Sequence, residues 1–115
     1  MPNTKLLAKG NPIDVDPVQS ELAQLDVSAY RTIRLSASNW EGSPAPVVVA
    51  VSHVDQPNTQ NANLITGLDS FTIPPGESVS KVYEVPGEVV AFLATPEQSP
   101  LAGIQLFFTI YGRTD

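Results

Sequence analysis

Cysteine is absent from this sequence, and histidine occurs once, at position 53. The first absence removes disulfide frameworks, thiolate metal sites and cysteine nucleophiles, and it leaves the cellular compartment open. The second removes multi-histidine metal motifs such as H-E-x-x-H. Charged residues are scarce at 16%, against roughly a quarter in an ordinary globular chain. Positive charge is scarcer still, since 6 Lys and Arg against 12 Asp and Glu leave a net charge of -6. A nucleic-acid partner is therefore not expected, because such affinity comes mainly from neutralising phosphates with Lys and Arg.

Long apolar runs are missing as well. No stretch approaches the roughly 18 to 20 residues of a membrane-spanning helix. The Met1–Gly10 segment offers only Leu6-Leu7-Ala8, where a Sec signal needs an apolar core of about 7 to 15 residues. The expectation is a soluble protein with no membrane insertion that, if it acts outside a cell, leaves by lysis or by a signal-independent route. Room for long helices is lacking too, because 11 prolines are spread along the chain and each removes a backbone donor and blocks helix continuation.

What is present is enough for one core. A chain of 115 residues with 42% hydrophobic side chains is sized for a single domain and too apolar to stay disordered. Between the prolines, apolar residues alternate with a period of two, the mark of half-buried strands. In Arg31–Ser38, Ile33, Leu35 and Ala37 share one face, with Thr32, Arg34 and Ser36 on the other. Val47–Val54 is β-branched and apolar on both sides, as suits a central strand covered on both faces. Leu64–Ile73 is interrupted at Gly67, where a bulge or bend is expected. Val79–Val85, Val89–Thr95 and Ile104–Tyr111 complete six strands, and residues 5–27 hold room for one or two more.

The punctuation agrees. Pro74-Pro75-Gly76-Glu77 has the Pro and Gly order of a type II turn, and Pro86-Gly87 repeats that chemistry. Asp55–Asn63 is polar with nothing to bury and reads as a surface loop. Val18–Leu25 reads equally as a helical turn or a strand. Short strands separated by Pro and Gly turns predict an all-β fold, a single antiparallel β-sandwich of seven to eight strands, Ig-like or jelly-roll.

Arg34-Leu35-Ser36-Ala37-Ser38-Asn39-Trp40-Glu41-Gly42-Ser43-Pro44, then the Val47–Val54 strand, then Phe71-Thr72-Ile73-Pro74-Pro75-Gly76-Glu77-Ser78 together resemble bacterial immunoglobulin-like modules of the CARDB type. The resemblance covers about residues 30–95. It implies an Ig-like sandwich of the kind repeated in large exported surface proteins, to which this chain adds an N-terminal segment and an aromatic final strand.

Groups that could carry catalysis are few. A hydrolase would need His53 beside a serine such as Ser52 or Ser36 and an acid such as Asp55 or Asp69, but no G-x-S-x-G elbow is present. His53 continues the register of Val47, Val49 and Val51, so a structural histidine is expected. The carboxylates are scattered through turns rather than paired, which argues against glycoside hydrolysis. Asp14-Val15-Asp16 could lend two oxygens to calcium, but the glycine and terminal glutamate of a calcium loop are missing. No phosphate-binding glycine loop occurs. The sequence therefore predicts no enzyme, no cofactor and no metal.

Interaction residues are better represented. Trp40 sits in a turn, where it could stack on a sugar or fold back over the sandwich. In the last strand, Phe107 and Tyr111 share a face with Gln105 and Thr109, opposite Leu106, Phe108 and Ile110. Residues 1–13 carry Lys5 and Lys9 and no acid, while residues 14–115 carry 4 basic and 12 acidic residues. This suggests a basic arm, 1–13, anchored by Leu6 and Leu7 and steered by Lys5 and Lys9 onto the acidic sandwich, 14–115, of a neighbour. Phe107 and Tyr111 would fill the subunit contact. The functional expectation is a non-enzymatic subunit that self-assembles into a homo-oligomer or filament in a bacterial or phage surface assembly: an appendage, fibre or decoration layer. The alternative is a carbohydrate-binding or adhesion module using Trp40 and the 55–63 loop, with a glycan as partner.

Overall fold

The computed structural model describes residues 3–55, 64–84 and 89–114. It contains eight strands: β1 (Thr4–Asp14), β2 (Ser20–Asp26), β3 (Thr32–Asn39), β4 (Val47–Asp55), β5 (Leu64–Ile73), β6 (Ser78–Glu84), β7 (Val89–Pro96) and β8 (Gln105–Arg113). They form two four-stranded antiparallel sheets, one ordered β1-β8-β3-β6 and the other β2-β7-β4-β5. These are called the β1 sheet and the β2 sheet below. The fold is the all-β sandwich that the alternating pattern predicts. Of the neighbours in sequence, β4 and β5 alone pair with each other among the described strands; every other connection crosses between sheets.

The core lies between the sheets and is built by alternation. Ile33, Leu35 and Ala37 of β3 and Leu106, Phe108 and Ile110 of β8 line one wall; Val47, Val49 and Val51 of β4 and Val90, Phe92 and Ala94 of β7 line the other. All are buried, and a fully buried large apolar side chain contributes about 1.5–3 kcal/mol. Connector residues close the ends: Val15, Val27, Ala45 and Ile104 are buried, and the Val15 amide donates to the Ile104 carbonyl at 2.9 Å.

The turn after β5 is as expected. Gly76 has φ 82, and the Glu77 amide donates to the Pro74 carbonyl at 3.1 Å, which a type II turn achieves at low cost with glycine in its third position. A register shift between Val51 and Ser52 of β4 lies opposite Asp69 and Gly67, where the bulge or bend was expected. Val18–Leu25 resolves toward strand, since β2 runs from Ser20 to Asp26. The 56–63 segment of the polar loop and the Pro86-Gly87 turn lie outside the described residues.

Two expectations need correction. Residues 4–14 are not an arm set apart from a sandwich that begins at residue 14. They form β1, paired with β8 of the same chain from Thr4↔Arg113 to Asp14↔Gln105. The fit is steric: a Cβ on Gly10 would lie 2.5 Å from Cε1 of Phe108, so the glycine leaves the space that this core ring occupies. Leu7, Ala8 and Ile13 pack against the same core. The second correction concerns β4, which among the described residues is fully covered on one face only. Val47, Val49 and Val51 are buried, but Val48, Ala50 and Ser52 on the outer side are half-buried.

Candidate interaction surface

The outer face of the β1 sheet gathers most of the residues singled out in sequence. Since β8 alternates strictly, Gln105, Phe107, Thr109 and Tyr111 point away from the core and are half-buried, while Leu106, Phe108, Ile110 and Gly112 are buried. The pairing registers extend this alternation into rows across the sheet. Thr4, Arg113, Thr32 and Glu84 form one row; Leu6, Tyr111, Arg34 and Val82 form the next. Lys9, Thr109, Ser36 and Ser80 form a third, followed by Phe107, Ser38 and Ser78. Leu6 and Tyr111, 105 positions apart in sequence, are therefore direct neighbours.

Two depressions lie on this face. One of about 660 Å3 crosses all four strands at the level of Lys9, Thr109, Ser36 and Ser80, with Phe107 at its side. The other, of about 390 Å3, is lined by Thr4, Thr32, Arg34, Val82, Tyr111 and Arg113. The Ser36 and Ser80 hydroxyls lie 3.1 Å apart, within hydrogen-bond reach. The Arg34 guanidinium lies over the Tyr111 ring at 5.3 Å from its centroid, a cation–π arrangement that orients the arginine across the face. Val82 is 65% exposed and Leu6 40%, so this face carries uncovered apolar area beside its cations.

Not every expected contact residue belongs to it. Leu7 packs toward the core, and Lys5 is exposed on β1 opposite the buried Gly112. Leu6, Lys9, Phe107 and Tyr111 share the outer face.

Residues considered for other chemistry are kept apart. His53 is buried on the inner side of β4, whereas Ser52 faces the opposite way and Ser36 lies on the outer face of the other sheet. Asp14 and Asp16 are exposed, and Asp16 is engaged in its own turn, where its Oδ1 accepts from the Val18 amide at 2.9 Å. Among the described residues no group of three or more His, Asp or Glu side chains is placed to hold a metal ion. Trp40 is 43% exposed, and its ring lies over the backbone of Gly42, where a Cβ would approach Cη2 to 2.4 Å. One ring face is thus spent on its own turn.

Two polar clusters were not visible in sequence. Asn39 is fully buried and donates through Nδ2 to the carbonyls of Ala45 at 3.1 Å and Ile73 at 2.9 Å, while its backbone accepts from the Gly76 amide. It ties the β3–β4 turn to the β5–β6 turn. At the β5–β6 edge, the Tyr83 hydroxyl donates to Asp69 Oδ2 at 2.8 Å, and Lys81 Nζ lies 3.6 Å from the same oxygen and 5.1 Å from the Phe71 ring centroid. The Tyr83 hydrogen bond, helped by the Ser70 amide and Lys81, holds the Asp69 carboxyl below the ordinary carboxylate range. Burial first, and then the adjacent carboxylate, push the Tyr83 hydroxyl well above the usual tyrosine value. The pair is a polar clamp that closes one open side of the sandwich.

No helix among the described residues is long and apolar enough to cross a membrane. No protein-family model matches the chain, and no curated protein matches it. Among solved structures, the chain is similar to a protein of the endospore appendages of Bacillus, which form a family of disulfide-linked pili. The TM-score is 0.60 at 12% sequence identity, over 100% of this chain and 92% of the other. At that identity the likeness establishes a shared fold, over all of this chain and most of the other.

Proposed function

We propose that this chain is a non-enzymatic structural subunit that self-assembles into a surface appendage, fibre or decoration layer of a bacterium or phage. The observation that carries the reading is the end-to-end likeness of its fold to the Bacillus endospore appendage protein. The separation of His53 from Ser52 and Ser36 supports a role without catalysis. The strand order β1-β8-β3-β6 over β2-β7-β4-β5 favours a jelly roll over the Ig-like alternative, whose sheets are strands ABED and CFG. Disulfides do not link its subunits through this sequence, which has no cysteine.

The contact residues are those of the β1 sheet's outer face: Leu6, Lys9, Phe107 and Tyr111, with Lys5 at its edge and Leu7 anchoring β1 beneath. Deleting residues 1–12 is not a clean test of them, since it also removes the strand that covers Phe108. The direct test is light scattering coupled to size exclusion at several concentrations and salt levels, with negative-stain microscopy of the largest species. A discrete oligomer or filament is expected. A monomer of 12.3 kDa under every condition overturns the reading.

A second reading, a carbohydrate-binding or adhesion module, draws on the 43% exposure of Trp40. It expects a glycan that binds the native chain and is lost in Trp40→Ala at unchanged fold; silence on a broad glycan panel ends it.

A further inference from the structure

We infer that copies of this chain stack broad side on broad side, the outer face of the β1 sheet of one copy against the outer face of the β2 sheet of the next. This rests on the self-assembly reading and names the two surfaces that would meet. The first support is a division of charge between the sheets. Strands β1, β8, β3 and β6 contain five of the six cations, Lys5, Lys9, Arg34, Lys81 and Arg113, against two acids, Asp14 and Glu84. Strands β2, β7, β4 and β5 contain no lysine or arginine and four acids, Glu21, Asp26, Asp55 and Asp69. The strands of the two sheets thus differ in sign, +3 against -4.

The outward positions keep the sign of this difference at smaller size, +1 against -2. On the β1 sheet, Lys9, Arg34 and Arg113 point outward along with Asp14 and Glu84, and the two acids sit at opposite corners, at the end of β1 and the end of β6. On the β2 sheet, Glu21, Gln24 and Asp26 line the outer side of β2, and no cation accompanies them. Like faces repel and unlike faces attract, so the charge selects the head-to-tail arrangement and disfavours pairing of two β1 sheets or two β2 sheets.

The second support is surface relief. Outward on the β2 sheet, β4 and β7 present half-buried Val48, Ala50 and Leu93, with Ala91 itself buried, flanked by Ser70 and Thr72 of β5. This is a low apolar ribbon of small and medium side chains with no charge along its middle. The β1 sheet faces it with the depression lined by Ser36, Ser38, Ser80 and Phe107, which offers room for the apolar side chains of the ribbon. The third support is area. The molecule is a plate of 42 × 37 × 18 Å, and a specific interface needs only about 800 Å2 from each partner. Overlap of roughly half of one broad side meets that requirement. Because the two surfaces differ, the contact is not self-complementary; each copy leaves one face open, and growth continues as a filament rather than stopping at a dimer.

The experiment is a charge swap on exposed residues, read by light scattering and microscopy. One variant, Lys9→Glu with Arg34→Glu, makes the β1 face acidic; the other, Glu21→Lys with Gln24→Lys, makes the β2 face basic. Each alone should require a concentration at least roughly tenfold higher than wild type to assemble. An equimolar mixture should recover assembly as an alternating copolymer, since each reversed face then meets a complementary one. Circular dichroism confirms that each variant is folded. The neutral version, Lys9→Gln with Arg34→Gln, should fall between wild type and the reversed form. If either reversed variant assembles at the wild-type concentration, or if the folded variants stay apart on mixing, the stacking is wrong while self-assembly stands. A wild type that never assembles removes self-assembly itself.

Discussion

The two sheets have the same number of strands and the same antiparallel pairing, and the centres of their inner faces are alike in kind, mainly aliphatic and aromatic. Their outer faces are not. One carries cations, serines and the exposed Val82; the other carries acids at its β2 edge and an apolar ribbon over β4 and β7. Folding constrains the inner faces, because each core position must be filled and dry. It places no comparable demand on which sheet receives the lysines and arginines. The difference between the outer faces is therefore information about what the molecule meets, and it is where the two-sided stacking draws its support.

The most severe way to break the comparison is to remove what both sheets share. Phe92 is fully buried at the centre of the β2 sheet, and Phe92→Ala should cost about 3–5 kcal/mol by creating a cavity. Chemical denaturation would show the midpoint falling for both sheets together. Next comes the tie between turns: Asn39→Ala strips the partners from two buried carbonyls and should cost about 1–3 kcal/mol per group left unsatisfied. Gly10→Ala separates the sheets more selectively. Its Cβ meets Phe108, an overpacking expected to cost about 1–3 kcal/mol, and hydrogen exchange should quicken along β1 while β4 and β7 stay protected.

Tyr83→Phe tests the clamp between β5 and β6, with an expected loss of about 0.5–1.5 kcal/mol. Its pH dependence has a definite sign. Asp69 is held below its ordinary value, so its contribution is present above the unfolded carboxylate range near pH ~4 and is lost as pH falls through the folded value. Tyr83 is pushed up, so its contribution is present below the ordinary tyrosine range near pH ~10 and is lost as pH rises through the folded value. Wild type should be most stable between about pH 5 and 9, and Tyr83→Phe should flatten the alkaline flank and weaken the acid one. Thermal melts across pH would measure both. The smallest effect on stability belongs to Lys9→Glu with Arg34→Glu, about 0.5–1 kcal/mol from the lost contact of Arg34 with the Tyr111 ring, so a loss of assembly by a variant that circular dichroism shows to be folded reports the surface and not the fold.

Much of the sandwich was legible in the chain because alternation, turn chemistry and proline placement are local. Ile33, Leu35, Ala37, Leu106, Phe108 and Ile110 fall on the inner face as their spacing requires, and the turn at Pro74–Glu77 closes as its residues dictate. The outward direction of Phe107 and Tyr111 followed from the same periodicity. What was misread concerned partners far away in sequence. Residues 4–14 look like an independent basic arm because nothing local reveals the ring of Phe108 waiting over Gly10. Val48 and Ala50 look destined for burial because they are apolar, though they stay half-buried, with no second layer over them among the described residues. Asn39 and the Asp69–Tyr83 pair were invisible for the same reason.

By itself the sequence determined the class of fold, the faces of its strands, and the absence of thiol and multi-histidine chemistry, since all of these depend on residue type and on spacing over a few positions. Only the tertiary structure decided that β1 belongs to the sheet of β8, that Leu6 lies beside Tyr111, and that the cations of the strands gather on one of two opposite sheets. Strand order joins residues more than a hundred positions apart, and no local preference encodes which strands will be neighbours; the closing of the core between them does.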